Sequence, residues 1–463
     1  MGHVIVVDLG FGDAGKGTVV DHLCSSPAGA ASPAGAVVRF NGGAQAAHNV
    51  VAADGRHHTF AQFGSGTFTP GVRTHLSRFM LVDPLALAAE AGHLRELGVP
   101  DALDRLTVDE DALLTTPYHR AANRARESAR GAARHGSCGM GIGETASYAL
   151  GHDDAPRAGD CLAPARLRRR LAAVRDWYRA AFPRGEAVPD VEACADAFTA
   201  FAERVAIVGG EHLHGLLRAG DVVFEGAQGV LLDEWHGFHP YTTWSTTTFA
   251  NAETLLAEAG ETAYRLGVLR TYATRHGPGP FVTEDPALTA DLPDPHNGTG
   301  RWQGAFRVGH LDAVALRYAL DVAGGADGLA VTHLDVAGAR PDLRACLAYE
   351  MDGGRVERLP AGPPDLDRQA ALTRRLLKAR PVYAPLGRPV ETIEELLGTP
   401  VVLRSHGPAS RDKSPGRPGL PIDLAASRVQ DLDQRRGSPG GGPCVSASAP
   451  SRPSRRSPRP SRS

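Results

Sequence analysis

One segment near the amino terminus constrains the fold more than any other. The run VIVVD at residues 4–8 is apolar and β-branched, which is typical of a buried strand, and the glycine-rich loop GFGDAGKGT follows it at residues 10–18. An amphipathic stretch with helical spacing comes next. Glycines let backbone amides converge on phosphate oxygens, a helix N-terminus adds its dipole, and a lysine, here Lys16, adds a charge. The segment therefore predicts a strand–loop–helix unit that binds a nucleotide phosphate chain.

The loop departs from the usual phosphate-loop pattern at two places. Gly17 stands where a serine or threonine would bind magnesium, and Thr18 comes one position later. Asp13 puts a carboxylate among phosphates, which repel it unless a metal ion or a proton transfer requires it. The carboxylate therefore indicates metal binding or proton transfer at this loop.

The rest of the chain alternates short apolar runs with longer amphipathic stretches. Buried strands are predicted at Val4–Val7, Val37–Phe40, Phe79–Val82, Val222–Phe224 and Leu329–Val331. This alternation predicts an α/β fold with a central, mostly parallel sheet flanked by helices. Apolar residues recur at helical spacing over 164–208, so we expect an all-helical insertion there, and ligands are expected at the ends of the strands.

Composition narrows the function classes. The 463 residues have a formal net charge of −2, which gives no footprint for nucleic acid or an anionic membrane. The six cysteines form no CxxC pair, so neither a zinc site nor a disulfide framework is indicated and a reducing cytoplasm is expected. No signal peptide or membrane span is recognisable.

Residues 1–413 are expected to form the catalytic domain, and residues 414–463 are expected to form a disordered tail rich in proline, serine and arginine.

A second segment supports a nucleotide enzyme. Residues 42–49 read GGAQAAHN directly after a predicted strand. Together with GDAGKG at 12–17, this segment resembles adenylosuccinate synthetase, whose family carries GDEGKG and GGHNAGHT. The resemblance continues through the blocks GMGIG at 139–143, FEGAQG at 224–229, TGR at 299–301, THLD at 332–335 and SHGP at 405–408. It covers residues 1–408 and excludes the tail.

The resemblance implies the reaction and its catalytic groups. In this family GTP phosphorylates the 6-oxygen of IMP, and the amine of L-aspartate then displaces phosphate to give adenylosuccinate. Asp13 matches the catalytic base, which takes the N1 proton and also contacts Mg²⁺. His48 matches the catalytic acid, and the backbone carbonyl of Ala47 matches a second Mg²⁺ ligand. The resemblance also implies the family fold and a homodimer.

The remaining site residues are matched in the same way. GTP is expected to contact Gly12, Gly15, Lys16, Gly17, Thr18, His333, Asp335, Ser405, Gly407 and Pro408. The nucleotide substrate and L-aspartate are expected to contact Gln45, Cys138, Gln228, Thr243, Thr299, Arg301 and Arg307.

The departures from the family pattern concentrate at the substrate residues. Gln45 replaces an asparagine, Cys138 replaces a threonine, and His333 replaces the lysine whose stem covers the guanine base. About three residues are inserted after TGR, and Phe306 takes the approximate place of an arginine. Two alternatives to the IMP reaction therefore stay open. One is the same chemistry on a purine-nucleotide analogue or with another amino acid, and the other is an inactive GTP-binding module.

Overall fold

The structure, a computed structural model, describes residues 2–25, 34–292, 294 and 297–421. Its strands are β1 (His3–Asp8), β2 (Ala36–Arg39), β3 (His48–Val51), β4 (His57–Phe60), β5 (Arg73–Leu76), β6 (Leu81–Val82), β7 (Leu106–Asp109), β8 (Leu113–Leu114), β9 (Ala206–Val208), β10 (Val222–Glu225), β11 (Ala263–Arg270), β12 (Ala273–His276), β13 (Phe306–Gly309), β14 (Leu311–Asp312), β15 (Gly328–Thr332), β16 (Arg344–Met351), β17 (Gly354–Val356), β18 (Arg380–Pro385), β19 (Val401–Ser405) and β20 (Lys413–Pro415).

The helices lie mainly between these strands. They are α1 (Lys16–Cys24), α2 (Pro84–Glu96), α3 (Pro117–Arg130), α4 (Ile142–Gly151), α5 (Pro164–Ala181), α6 (Val191–Ala202), α7 (Glu211–Ala219), α8 (Ala250–Glu258), α9 (Pro286–Asp291), α10 (Ala313–Val322), α11 (Leu334–Ala339), α12 (Leu366–Leu376) and α13 (Pro389–Leu397). Among the described residues, none of them combines the length and the apolar character that crossing a bilayer would require.

A ten-stranded sheet runs through the described part of the chain. Its order is β20-β19-β15-β11-β1-β10-β2-β5-β7-β9, and every neighbouring pair except β19–β20 is parallel. Strand β1 lies in the interior of the sheet, with Val4 opposite Val223 on one side and Tyr264 on the other. Because the strands are parallel, the carboxyl ends of β1, β2, β10, β11, β15 and β19 meet at one edge, where ligands bind in folds of this kind.

Two apolar cores hold the helices to the sheet. Ile5 and Val7 alternate along β1 into the first core, where they meet Phe224 of β10. The second core includes Leu167 of α5 and Phe198 of α6, both fully buried. Burying a side chain of this size contributes about 1.5–3 kcal/mol, so each helix is held mainly by its apolar face.

The α/β prediction, with a mostly parallel central sheet, is confirmed. The predicted insertion contains α5 and α6, but residues 206–208 form the edge strand β9 because the β-branched pair Ile207-Val208 extends alongside β7. Residues 79–82 give only the short β6, which pairs with β8 outside the central sheet. The predicted boundary at 413 falls inside β20, where Ser414 pairs with Arg404. The predicted tail from residue 422 onward lies outside the described residues.

Candidate functional site

A cavity of about 840 Å³ lies at the carboxyl edge of the central sheet. Strand ends and the loops after them line it, together with parts of α3 and α4. Of the predicted site residues it brings together Gly12, Asp13, Gly15, Lys16, Gly17, Thr18, Gln45, Ala47, His48, Cys138, Gln228, Thr243, His333, Asp335, Ser405, Gly407 and Pro408.

The phosphate loop is held by the last residue of β1. The Asp8 carboxylate accepts hydrogen bonds from the backbone amides of Gly10 (2.7 Å) and Ala14 (2.8 Å) and from Lys16 Nζ (3.1 Å). Both Asp8 and Lys16 are buried. Protein hydrogen bonds therefore set the shape of the loop, and they hold the lysine ammonium at the start of α1, beside the dipole that attracts phosphate.

Packing explains the glycine at position 17. A Cβ atom there would lie 2.8 Å from the Cβ of His48, at the start of β3. Atoms this close cannot coexist, so a serine or threonine at this position would push His48 away from the loop. Gly17 therefore lacks the usual magnesium-binding hydroxyl, and its missing side chain allows His48 to lie close to α1.

Asp13 is fixed at both its backbone and its side chain. Its φ is 59°, in the left-handed region, and its carbonyl accepts a hydrogen bond from Arg270 Nε. Its carboxylate lies 3.2 Å from His276 Nε2, and that nitrogen also lies 3.1 Å from Asn297 Oδ1. Burial alone would raise the pKa of Asp13, but His276, Arg270 and Lys16 outweigh it and the net pKa is lowered. Asp13 is therefore ionised and able to accept a proton.

His48 is oriented by a buried carboxylate. Its Nδ1 lies 2.6 Å from Glu225 Oε1, and Glu225 Oε2 accepts from the amide of Ser65 at 2.9 Å. Burial raises the pKa of Glu225, but the charge of buried Arg39, the contact with His48 and the Ser65 hydroxyl lower it to about 2. Burial lowers the pKa of His48, and Glu225 opposes this only in part. With Nδ1 engaged, Nε2 is the nitrogen left to meet a ligand.

The segment at residues 405–409, here called the base loop, begins at the last residue of β19 and lines one end of the cavity. The Ser405 hydroxyl donates to the carbonyl of Gly407 at 3.2 Å, and the Thr18 hydroxyl of α1 donates to the carbonyl of Pro408. His333 caps α11 in the left-handed conformation at φ 58°, and Asp335 lies two residues further on. The base loop is thus in direct contact with the first turn of α1, which follows the phosphate loop.

Two amide side chains mark another part of the cavity. Gln45 Nε2, Gln45 Oε1 and Gln228 Oε1 are buried and make no hydrogen bond within the described residues. A buried amide atom without a partner costs roughly 1–3 kcal/mol, so such atoms indicate a polar ligand.

Thr243 and Cys138 also line the cavity. Burial raises the pKa of the Cys138 thiol, which keeps the thiol protonated.

Three predicted substrate residues lie outside this lining. Thr299 and Arg301 are exposed, and the Arg301 guanidinium lies 5.1 Å from the centre of the Trp302 ring. Arg307 donates to Glu284 Oε2 at 2.7 Å and to the carbonyl of Gly279 at 3.1 Å. The structure therefore does not bring these residues together with Asp13 and His48.

Sequence reasoning missed the partners of Asp13 and His48. Glu225 ends β10 within the FEGAQG block, and its place at a strand end was the available signal. Arg270 ends β11 and His276 ends β12, but neither strand was among those predicted, and β12 pairs antiparallel with β13 outside the central sheet, so no strand-end argument pointed to them. Nothing in the spacing indicated that His276 would face Asp13.

The cavity can position a triphosphate, a second nucleotide and a proton acceptor side by side. Its protein ligands for a metal would be the Asp13 carboxylate and the Ala47 carbonyl, both in the cavity wall. Within the described residues no cluster of three or more histidine, cysteine or acidic side chains is suited to a metal. One carboxylate with mainly phosphate and water oxygens is the donor set that Mg²⁺ prefers, so these residues fit that ion.

Comparison with known proteins connects this geometry to a family. The adenylosuccinate synthetase family profile matches residues 5–414. The chain is 32% identical over 444 residues to adenylosuccinate synthetase 1 of Burkholderia lata, covering 89% of this chain and 95% of that protein. It is 33% identical over 448 residues to the enzyme of Nostoc punctiforme, covering 89% and 94%.

Two solved structures share the fold. Fully ligated adenylosuccinate synthetase from Plasmodium falciparum superposes with a TM-score of 0.76 at 21% identity, covering 90% of this chain and 100% of that one. Succinoaminodeoxyadenylate synthetase of cyanophage S-2L, bound to dGMP and dATP, gives a TM-score of 0.55 at 19% identity, covering 94% and 99%.

Proposed function

The chain belongs to the adenylosuccinate synthetase family, and on that premise we propose how its cavity residues perform the GTP-dependent ligation of L-aspartate to IMP. The protein is a GTP-hydrolysing C–N ligase of purine biosynthesis. The observation that carries the residue assignments is that Asp13, Lys16 and His48 line the same cavity as the side-chain amides of Gln45 and Gln228, which have buried atoms without a hydrogen-bond partner among the described residues.

The first step transfers the γ-phosphoryl group of GTP to the 6-oxygen of IMP. Asp13 takes the proton from N1, which moves electron density onto the 6-oxygen and makes it a nucleophile. The lowered pKa of Asp13 keeps the carboxylate free to accept that proton at neutral pH. Lys16 and the loop amides hold the phosphates in place during the transfer.

The second step forms the C–N bond. The amine of L-aspartate attacks C6, the bond from C6 to the phosphorylated oxygen breaks, and inorganic phosphate leaves with the oxygen that belonged to IMP. A ring oxide is a poor leaving group and a phosphate is a good one, so the first step is what makes the second possible. Arg301 and Thr299 are proposed to hold the aspartate, with Arg307 as the third candidate.

His48 stabilises negative charge on the transferred phosphoryl oxygens. Glu225 holds its Nδ1 and fixes the ring, so Nε2 can donate to an oxygen once the charge of the bound phosphates raises the pKa of His48. Asp13 and the Ala47 carbonyl would hold Mg²⁺. When bound, this ion neutralises phosphate charge during transfer.

The guanine base is proposed to bind between His333 and the base loop. Asp335 can accept two hydrogen bonds from the ring N–H and the amino group of guanine, and the His333 imidazole can stack on the ring. Gln45, Gln228, Thr243 and Cys138 then face IMP. By the same family likeness we propose a homodimer acting in the cytoplasm.

The test is a ligation assay that follows the oxygen atom. Purified protein is mixed with Mg²⁺, GTP, L-aspartate and IMP labelled with ¹⁸O at the 6-position, and GDP, phosphate and the adduct are resolved by mass spectrometry. We expect one GDP per adenylosuccinate and the ¹⁸O label in inorganic phosphate. Unlabelled phosphate, or GDP formed without an adduct, would contradict the two-step assignment. No GDP with IMP but turnover with another 6-oxopurine nucleotide would assign the chain to an analogue.

A further inference from the structure

One lysine takes part in none of the steps above, yet it lies beside the cavity. The chain has three lysines among 50 basic residues. Lys378 is exposed, whereas Lys413, at the start of β20, is 3% exposed. Its Nζ donates to the carbonyls of Gly407 (2.8 Å) and Ala409 (3.0 Å), both in the base loop.

The same ammonium group reaches the phosphate-binding helix. Lys413 Nζ donates to the hydroxyl oxygen of Thr18, in the first turn of α1, and that hydroxyl donates to the carbonyl of Pro408. Lys413 and Thr18 are 395 positions apart in the chain. A single buried cation therefore joins the loop expected to hold the guanine base to the helix expected to hold the phosphates.

The chemistry of the contact explains why a lysine is used in a chain that otherwise prefers arginine. An ammonium has three N–H donors on one compact atom, and three oxygens converge on it here. A planar guanidinium would spread its donors over a wider fork. Burial lowers the pKa of Lys413 to about 8, with Asp412, Asp21 and Asp335 opposing the shift. The group is therefore mainly charged at neutral pH.

We propose that Lys413 is a positioning residue for base selectivity, because it locks the base loop against α1 in the geometry that recognises guanine. This inference rests on the proposed function only in taking the 405–409 loop as the site of the guanine base. Without the ammonium, the carbonyls of Gly407 and Ala409 lose a shared donor and the loop loses its fixed distance from the phosphate loop. Guanine and adenine nucleotides are then distinguished less well, while the phosphates still bind.

The experiment measures base preference directly rather than through turnover. Isothermal titration of GDP and of ADP, each with Mg²⁺, is carried out on the full-length protein and on Lys413→Met, which keeps the apolar stem and removes the ammonium. Lys378→Met is the matched control. We expect the wild type and Lys378→Met to share one GDP-over-ADP preference, and Lys413→Met to lose at least tenfold of it.

A second variant approaches the same link from the other side. Thr18→Val keeps the shape of the side chain and removes the hydroxyl, so it is expected to lower the preference as Lys413→Met does, and it carries the test if Lys413→Met does not fold. Equal weakening of GDP and ADP, an unchanged preference, or no preference in the wild type would overturn the inference. Failure of the ligation assay together with a lost GDP preference in Lys413→Met would reject the proposed reaction and leave the inference intact.

Discussion

Two regions expected to hold charged ligands differ in how firmly protein contacts hold their side chains. One is the phosphate end of the cavity, and the other, here called the amino-acid end, consists of the residues outside the cavity lining that are proposed to hold L-aspartate. At the phosphate end, Asp13, Lys16 and His48 each have a protein partner within 3.2 Å. At the amino-acid end, Arg301 is exposed, and Arg307 is engaged by Glu284. The groups proposed to act on the reacting atoms are fixed by protein contacts, which is where preorganisation contributes most to rate, whereas the groups proposed to hold the amino acid are not.

Replacing Asp13 tests the phosphate end most severely. Asp13→Asn keeps the size of the side chain but cannot take the N1 proton, so kcat is expected to fall at least about 1,000-fold. GDP binding, measured by titration without Mg²⁺ so that the proposed metal-ligand role of Asp13 does not enter, should change little because Lys16 and the loop amides remain. Asp54→Asn, at an exposed position, is the control. Substantial turnover by Asp13→Asn would reject its assignment as the base.

Removing the charge of Glu225 tests whether His48 depends on its buried partner. In Glu225→Gln the imidazole loses the carboxylate that orients it, and kcat is expected to fall about 100-fold with little change in KM for GTP. Steady-state kinetics of this variant are compared with those of Glu258→Gln, a surface carboxylate on α8. An unchanged kcat would mean that His48 needs no positioning.

Acid should lower the free energy of unfolding of the protein by protonating the Glu225 carboxylate. The pKa of Glu225 falls from its ordinary 4.5 to about 2 on folding, so its stabilisation is complete above pH 4.5 and is lost as the pH falls toward 2. The contribution is about 3 kcal/mol. Urea unfolding of the wild type should therefore lose more stability between pH 5 and 3 than unfolding of Glu225→Gln. Parallel losses in the two proteins would contradict this.

The smallest effect is expected at the amino-acid end. Arg301→Ala should raise KM for L-aspartate about tenfold, since an arginine–carboxylate contact is worth on the order of 1.5–3 kcal/mol and this side chain is free to turn inward. Arg307→Ala should change it less than threefold, because Glu284 holds that guanidinium. Initial rates at varied L-aspartate measure both. A larger effect at Arg307 would reverse the assignment and show that its ion pair opens on binding.

The sequence predicted the units that are local in the chain and missed those that are not. The strand, loop and lysine at residues 4–18 are adjacent, so their residue types alone indicate the phosphate loop. Glu225 is 177 positions from His48, and Arg270 is 257 from Asp13, distances that no spacing argument spans. The helical pattern at 164–208 hid the edge strand β9, because a three-residue run has no measurable period.

Three non-glycine residues that line the cavity have a left-handed backbone conformation, which lowers the stability of the fold in exchange for side chains with proposed functional roles. Asp13, Gln228 and His333 have φ values of 59°, 57° and 58°, and all three line the cavity. Each such conformation costs a side chain about 1–2 kcal/mol that glycine would not incur. Selection for heat resistance alone would therefore favour glycine at these positions and would discard the side chains proposed to act as the base, to contact the nucleotide substrate and to contact the guanine base. A search for thermostable variants of this enzyme should hold these three residues constant and look for gains elsewhere.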